Sequence, residues 1–168
     1  GGSAIGLSGR DGHMLTATVN QPELGYAGEI PDVNVQPILD VIDKGYIPVV
    51  STVGCDNEGH VYNINADTAA ARLAGALGAE SLIAMTDIAG ILKDKDDPDT
   101  LISSIRIGDL PELVSSGVIQ GGMVPKAECC RNAIEWGVNR VFIIDGRVPH
   151  AILIEMLTNE GIGTMFTK

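Results

Sequence analysis

Four stretches of the chain bring together residue types that do chemistry. The first, Asn63-Ile64-Asn65-Ala66-Asp67, lies where a short apolar run passes into an Ala-rich one, a strand-to-helix junction whose free amides can meet an anion. Asn65 and Asp67 serve equally well as caps of that helix, and a carboxylate facing a phosphate site needs a cation beside it. The second, Thr86-Asp87-Ile88-Ala89-Gly90-Ile91-Leu92, sets a hydroxyl, a carboxylate and a glycine just past the apolar run from Ser81 to Met85. In open α/β sheets ligands sit beyond the carboxyl ends of the strands, so this stretch can hold the base or ribose of a nucleotide; an ordinary Thr-Asp turn is the plain alternative.

The third stretch runs Gly117-Val118-Ile119-Gln120-Gly121-Gly122-Met123-Val124-Pro125-Lys126. Its glycine pair lets phosphate approach the backbone, and Lys126 falls in the first turn of a helix, where the macrodipole already places positive charge. An anion between the two resolves that conflict, whereas a solvated lysine on a helix shoulder needs no ligand. The fourth, Ser8-Gly9-Arg10-Asp11-Gly12, is either a phosphate-facing glycine loop or a plain double turn. A Walker-type loop is absent, because no Gly-Lys-Ser or Gly-Lys-Thr occurs; Gly161 and Gly163 lack the dinucleotide fingerprint and its downstream acid. Cys55, Cys129 and Cys130 have no histidine beside them in sequence and read as reduced structural thiols. His13, His60 and His150 read as surface or satisfied side chains, with no zinc-ligand spacing.

These stretches must be positioned by elements that the periodicity suggests. An extended segment is expected from about Met14 to Val19, a helix through Val35, Ile38, Leu39 and Ile42 stopped at Gly45, and strands over Tyr46–Val53 and His60–Ile64. A helix from Ala66 to Leu77 ends at Gly78, and Ser81–Thr86 has the apolar character of a buried parallel strand. Beyond a charged loop, Lys93 to Thr100, come a short helix from Leu110 to Val114 and a helix opened by Pro125 that reaches Trp136. A strand over Val141–Ile144, a helix opened by Pro149 that runs to about Leu157, and a closing strand from Gly161 to Phe166 complete the chain. Strands alternating with helices predict an α/β fold with a mostly parallel sheet and helices on both faces.

With 168 residues the chain suits one domain of usual size, and 45% hydrophobic against 20% charged residues rules out the composition of a disordered chain. Eleven Lys and Arg against 22 Asp and Glu give a formal charge of −11, which disfavours nucleic acid and anionic membranes as partners. The longest uncharged apolar stretches are well short of the roughly 20 residues needed to span a bilayer. A cytoplasmic protein is expected. Gly1-Gly2-Ser3 reads as an appended scar, and the apolar run after it begins abruptly, as if mid-protein.

Taken in series, Tyr62-Asn63-Ile64-Asn65-Ala66-Asp67, Thr86 to Leu92, Gly121-Gly122-Met123-Val124-Pro125-Lys126, Ile144-Asp145-Gly146-Arg147-Val148-Pro149-His150 and Glu160-Gly161-Ile162-Gly163-Thr164-Met165 resemble the acetylglutamate kinases of the amino-acid kinase family. Order and spacing match over essentially the whole chain after the first three residues. The resemblance implies the carbamate kinase-like three-layer sandwich, with residues 4–168 a single α/β domain that is the ATP-binding lobe. It further implies phosphoryl transfer from ATP with Mg to the side-chain carboxylate of N-acetyl-L-glutamate, in arginine synthesis. On that likeness Asn63 contacts acetylglutamate, Lys126 stabilises the transferring phosphoryl group and Asp67 orients catalytic lysines. ATP lies against Thr86, Asp87, Ile88, Ala89, Gly90, Ile91 and Leu92 and against Val118, Ile119, Gln120, Gly121 and Gly122. In arginine-inhibited members the likeness places the guanidinium at Glu155 and Gly161, since a carboxylate is its natural partner.

The family opens with an N-terminal lobe that holds a Lys-Tyr-Gly-Gly type strand, a Gly-Gly-Gly loop, a substrate-gripping Arg and the dimer contact. None of these stands in this sequence. The chain is therefore expected to be truncated and to bind nucleotide weakly with little turnover, while the parent is a homo-oligomeric kinase, with the PII signalling protein a partner left open. Two other readings stay open as well: a nucleotide- or arginine-binding module without chemistry, and another amino-acid kinase, with acetylaminoadipate kinase the nearest.

Overall fold

A computed structural model describes residues 1–19 and 22–168, which divide into two units, Gly1–Leu77 and Gly78–Lys168. In the first unit, β1 (Ala4–Ser8) pairs in parallel with β4 (Ile47–Ser51), and Ile47 N–H extends the ladder to the Ser3 carbonyl. Four further strands close a small barrel: β2 (Leu15–Val19), β3 (Ala27–Val33), β6 (Val61–Ile64) and β5 (Val53–Cys55), in that order. Leu15, Ala17, Ile30, Tyr62 and Ile64 fill it from alternate strand positions, and Ala69 of α2 (Ala66–Leu77) closes the core. The fully buried Leu15 and Ile64 contribute about 2 kcal/mol each through apolar burial. Helix α1 (Gln36–Asp43) has a proline in its first turn and is followed by Gly45 at φ +80°, so the expected stop is where the sequence places it.

In the second unit the sheet order is β7 (Ser81–Thr86), β9 (Arg140–Asp145), β10 (Thr164–Thr167), β8 (Ser104–Arg106). β7 and β9 run parallel from Ser81 opposite Arg140 to Thr86 opposite Asp145, so their carboxyl ends finish side by side. Val141, Phe142, Ile143 and Ile144 are all buried, as expected of a strand covered on both faces. Phe142 and Ile144 pack on Ala151 of α5 (Ala151–Leu157), while α4 (Met123–Glu135) lies against β9 and β10. The short α3 (Leu110–Ser115) precedes α4 and buries Leu110.

The α/β class holds, and parallel pairs outnumber antiparallel ones among the described strands, but the strands form three sheets and the pairing is mixed. β5 and β6 must be antiparallel because only the Asp56–Gly59 turn joins them. β3 was not expected, since Pro31 interrupts its pattern; the proline sits where β3 has one residue more than β2 between paired positions, a bulge that asks no ladder N–H of it. The single strand expected over Tyr46–Val53 is two, β4 and β5, belonging to different sheets. Helix α4 begins at Met123 rather than at Pro125, which occupies the first turn where its missing N–H costs nothing. Pro149 does not open α5: His150 intervenes in the left-handed region at φ 60°, and the helix starts at Ala151. The last strand is shorter than expected, because Gly161 turns at φ +53° before β10 begins at Thr164.

Candidate functional site

The loop after β7 leaves the sheet through a narrow passage. Gly90 is buried with φ +146°, and a Cβ there would lie 2.6 Å from Thr164 Oγ1 and 2.9 Å from Leu101 Cδ1, so only glycine fits. The fully buried Thr164 hydroxyl accepts from Ile91 N–H at 2.8 Å and donates to the Ile102 carbonyl at 2.8 Å, and Ile102 N–H reaches the Ile91 carbonyl at 2.8 Å. This pins residues 88–92 as one wall of a cavity of about 340 Å³. Val118 and Gln120, from the turn before α4, form another wall, with Met123 and Lys95 completing the lining.

The cavity thus brings together Ile88, Ala89, Gly90, Ile91, Leu92, Val118 and Gln120 from two stretches about thirty residues apart in sequence. Thr86, Asp87, Ile119, Gly121 and Gly122 are not in its lining. Ile119 turns into the core, 1% exposed, with its amide on the Leu113 carbonyl at 2.9 Å. Gly121 and Gly122 are exposed, and nothing lies within 4 Å of where a Cβ would stand at either, so the backbone there is open to approach. Gly122 caps α4, and Lys126 follows in its first turn, half-buried. Met123 stood within the third candidate stretch without a role of its own, and Lys95 was missed, because a lysine within a charged run reads as solvated.

Beside this cavity the carboxyl ends of β7 and β9 carry a second group of polar side chains. Gly146 N–H donates to the Thr86 carbonyl at 2.8 Å, and the Thr86 hydroxyl lies 3.3 Å from the carboxylate of the exposed Asp87. Asp145 receives Arg147 in a fork, Nε to Oδ1 at 2.9 Å and Nη2 to Oδ2 at 2.8 Å, with the Arg147 amide also on Oδ1 at 2.9 Å. The side-chain hydrogen bonds of that fork bring the Asp145 carboxyl down to about 2. The same fork, with the Asp145 charge, raises the already basic Arg147.

Glu155 and Gly161 line one cavity of about 260 Å³, together with Arg140 and Asn159. Glu155 already has work in the fold, because Oε2 accepts the amides of Ile162 at 2.7 Å and Gly163 at 3.1 Å and so fixes the approach to β10.

In the first unit, Asn63 lies on β6 opposite Val53 and Ala27, its amide on the Tyr26 carbonyl at 2.8 Å and its side chain exposed. The capping question at the strand-to-helix junction is answered in favour of Asn65, whose Oδ1 accepts Thr68 N–H at 3.1 Å. Asp67 is left in the first turn of α2, half-buried, where the helix dipole favours a carboxylate. The amides at the start of the Ser8–Gly12 loop are spent within the fold: Ser8 N–H donates to Asp11 Oδ2 at 2.7 Å and Gly9 N–H to the Ser51 carbonyl of β4 at 3.3 Å. A Cβ at Gly9 would strike the Val53 carbonyl, so its glycine is explained by packing.

That loop nevertheless borders a cavity of about 620 Å³ with His13, Cys55 and the Asp56–Gly59 turn. Cys55 is a free, buried thiol, as the sequence suggests, and the fold adds a neighbour that the sequence did not show: His13 Nδ1 stands 3.8 Å from its Sγ across 42 residues of sequence. Asp56 organises the turn by taking the amides of Glu58 and His60 on Oδ1 and His60 Nδ1 and Tyr62 OH on Oδ2, each at 2.9 Å. Partial burial works to raise the Asp56 carboxyl, but the bonds from His60, Tyr62 and the two amides outweigh it and hold it at about 2. The bond to Asp56, then its charge, raises His60 above the ordinary histidine value. Among the described residues no helix is long and apolar enough to cross a membrane.

An α/β chain with glycine-gated loops at its strand ends has clear structural relatives. It superposes on N-acetylglutamate synthase from Neisseria gonorrhoeae, solved with coenzyme A and N-acetyl-glutamate, with TM-score 0.84 and 26% identity over 99% of this chain and 38% of that one. It also superposes on smu.665 from Streptococcus mutans, with TM-score 0.80 and 29% identity over 98% of this chain and 61% of that one. The model of the amino acid kinase family matches residues 1–145, and the chain belongs to that family. Acetylglutamate kinase from Brachyspira hyodysenteriae is 54% identical over 170 residues, covering 100% of this chain and 59% of that protein. The chain spans about three fifths of the length of the curated relatives it matches.

Proposed function

We propose that the chain is the ATP-binding part of a kinase that phosphorylates the side-chain carboxylate of N-acetyl-L-glutamate, a step of arginine synthesis in the cytoplasm. The observation that carries this reading is that residues 88–92, Val118 and Gln120 line one cavity together. Its mainly apolar walls suit a nucleoside, and the open backbone of Gly121-Gly122 beside Lys126 suits phosphate. Relatives named acetylglutamate kinase at about half identity support the choice of acceptor.

In the reaction a carboxylate oxygen of the acceptor attacks the γ-phosphorus, the bond to the bridging oxygen of ADP breaks, and an acyl phosphate forms. Such a transfer asks the protein for position and positive charge more than for covalent chemistry. Asn63 is assigned to the acetylglutamate, Lys126 to the charge on the transferring group, and Asp67 to the orientation of catalytic lysines. No carboxylate of the described residues lines the cavity, so its lining does not form a magnesium site, and the ion would come with the nucleotide. A second reading concerns regulation. Glu155 and Gly161 share a cavity, and a structural relative was solved with L-arginine, so arginine is proposed as an effector there.

Calorimetric titration with MgATP, repeated on Lys126→Ala, tests the main reading. Weak binding in the native chain and a loss of about tenfold in the variant are expected, the worth of one charge-assisted contact. Absence of any ATP heat in the native chain overturns the assignment. Hydroxamate formation from ATP and N-acetylglutamate by the 168 residues alone overturns the expectation of little turnover.

A further inference from the structure

Among the described residues, Lys95 is the one charged member of the lining of the nucleotide cavity, whose other side chains are apolar or, at Gln120, neutral. It stands in the run Lys93-Asp94-Lys95-Asp96-Asp97-Pro98-Asp99, where a lysine has carboxylates on every side to pair with. It pairs with none: no hydrogen bond or ion pair joins its ammonium to any described residue. Two of those carboxylates are engaged within the loop: Asp94 accepts Asp96 N–H at 3.0 Å, and Asp97 caps a single 3-10 turn by accepting Asp99 N–H at 3.0 Å. Thr100 Oγ1 accepts Asp94 N–H at 3.1 Å and donates to the Asp97 carbonyl at 2.6 Å, and the Leu92–Leu101 bridge closes the loop at its base. A loop stitched in this way spends Asp94 and Asp97 on its own backbone and sets Lys95 at the cavity.

We infer that Lys95 is an electrostatic contact for the phosphates of the nucleotide held in this cavity, and so makes the cavity prefer phosphorylated nucleotides over the bare nucleoside. The inference rests on the nucleotide reading of the cavity and adds to it a residue outside both glycine stretches. An ammonium is a compact charge on a flexible stem, and it gains strength from a phosphate oxygen in a way that a ribose or base edge does not supply. The apolar walls serve nucleoside and nucleotide alike, so the discrimination belongs to the cation.

The test is calorimetric titration of the chain with adenosine, ADP and MgATP at low and moderate salt, for the native protein, Lys95→Met and Lys95→Arg. Methionine keeps much of the stem and removes the charge. ADP and MgATP are expected to bind Lys95→Met about tenfold more weakly than the native chain, with adenosine unchanged and Lys95→Arg restoring most of the loss. Added salt narrows the native gap between ADP and adenosine. Equal ADP affinity in native chain and Lys95→Met overturns the inference while leaving the nucleotide cavity in place. A parallel fall for ADP and adenosine also overturns it, because the stem and not the charge is then what matters. A native chain that binds neither adenosine nor ADP removes the cavity reading and the inference with it.

Discussion

The turn at residues 56–62 and the loop at residues 88–102 both hold many polar groups, and they dispose of them in opposite ways. In the turn the side chains close on one another, with Asp56 receiving four donors, so charge is neutralised where it stands. In the loop the conformation is fixed from outside by the hydroxyl of Thr164 and from within by Thr100. There the backbone is satisfied, and the Lys95 side chain remains on the cavity surface. A region whose polar side chains satisfy each other is a structural device. A region whose backbone is satisfied by a few buried clamps can present its side chains to a ligand.

The sharpest way to break this contrast is to remove the clamp. Gly90→Ala forces a Cβ to within 2.6 Å of Thr164 Oγ1 and 2.9 Å of Leu101 Cδ1 at φ +146°. It is expected to cost about 3 kcal/mol of stability, read as a lowered denaturant midpoint, and to abolish ADP binding. A variant with native stability shows that the passage is looser than its geometry. Thr164→Val is gentler, since the shape is nearly kept while the Ile91 amide and the Ile102 carbonyl lose their common partner. About 2 kcal/mol is expected, together with faster hydrogen exchange at the Ile91 amide than at core amides of β9. Unchanged exchange at Ile91 means that the hydroxyl does not hold the loop.

What could be read in the sequence divides along the same line. Helix α2, β7 and the glycine stops at Gly45, Gly78 and Gly137 follow from local periodicity and from positive φ, which are written residue by residue. The stretches 88–92 and 118–120 were legible as candidates because glycines and polar residues follow apolar runs. Their meeting at one cavity was implied by the family resemblance alone and not by the local pattern, because it depends on the sheet order. Strand β3 hid behind Pro31, and β8, three residues long, has no period to read. The His13–Cys55 contact and the clamp from Thr164 to Ile91 join residues 42 and 73 positions apart, beyond any local pattern. Lys95 was hidden for a different reason: five of the other six residues from Lys93 to Asp99 are charged, and only the fold shows which of them are spent on backbone.

The turn at Asp56 gives the smallest effect and the finest test of the contrast, because it changes charge without reaching a cavity clamp. Asp56 is held at about 2 against an ordinary 3.8, so its contribution to stability is complete above 3.8 and is lost as pH falls through 2. His60 is raised above its ordinary 6.5, so its contribution is complete below 6.5 and is lost as pH rises through the folded value. The pair therefore contributes most between 3.8 and 6.5. In Asp56→Asn the His60 ring, followed by NMR, is expected to titrate nearer 6.5 than in the native chain, and the stability difference between the two proteins is expected to shrink below 3.8 and above 6.5. ADP binding in the variant is expected to match the native chain at every pH tested, because the turn satisfies itself. An unmoved His60 titration means that the two side chains do not share the proton-bearing contact in solution, and the turn then resembles the loop in leaving its side chains free.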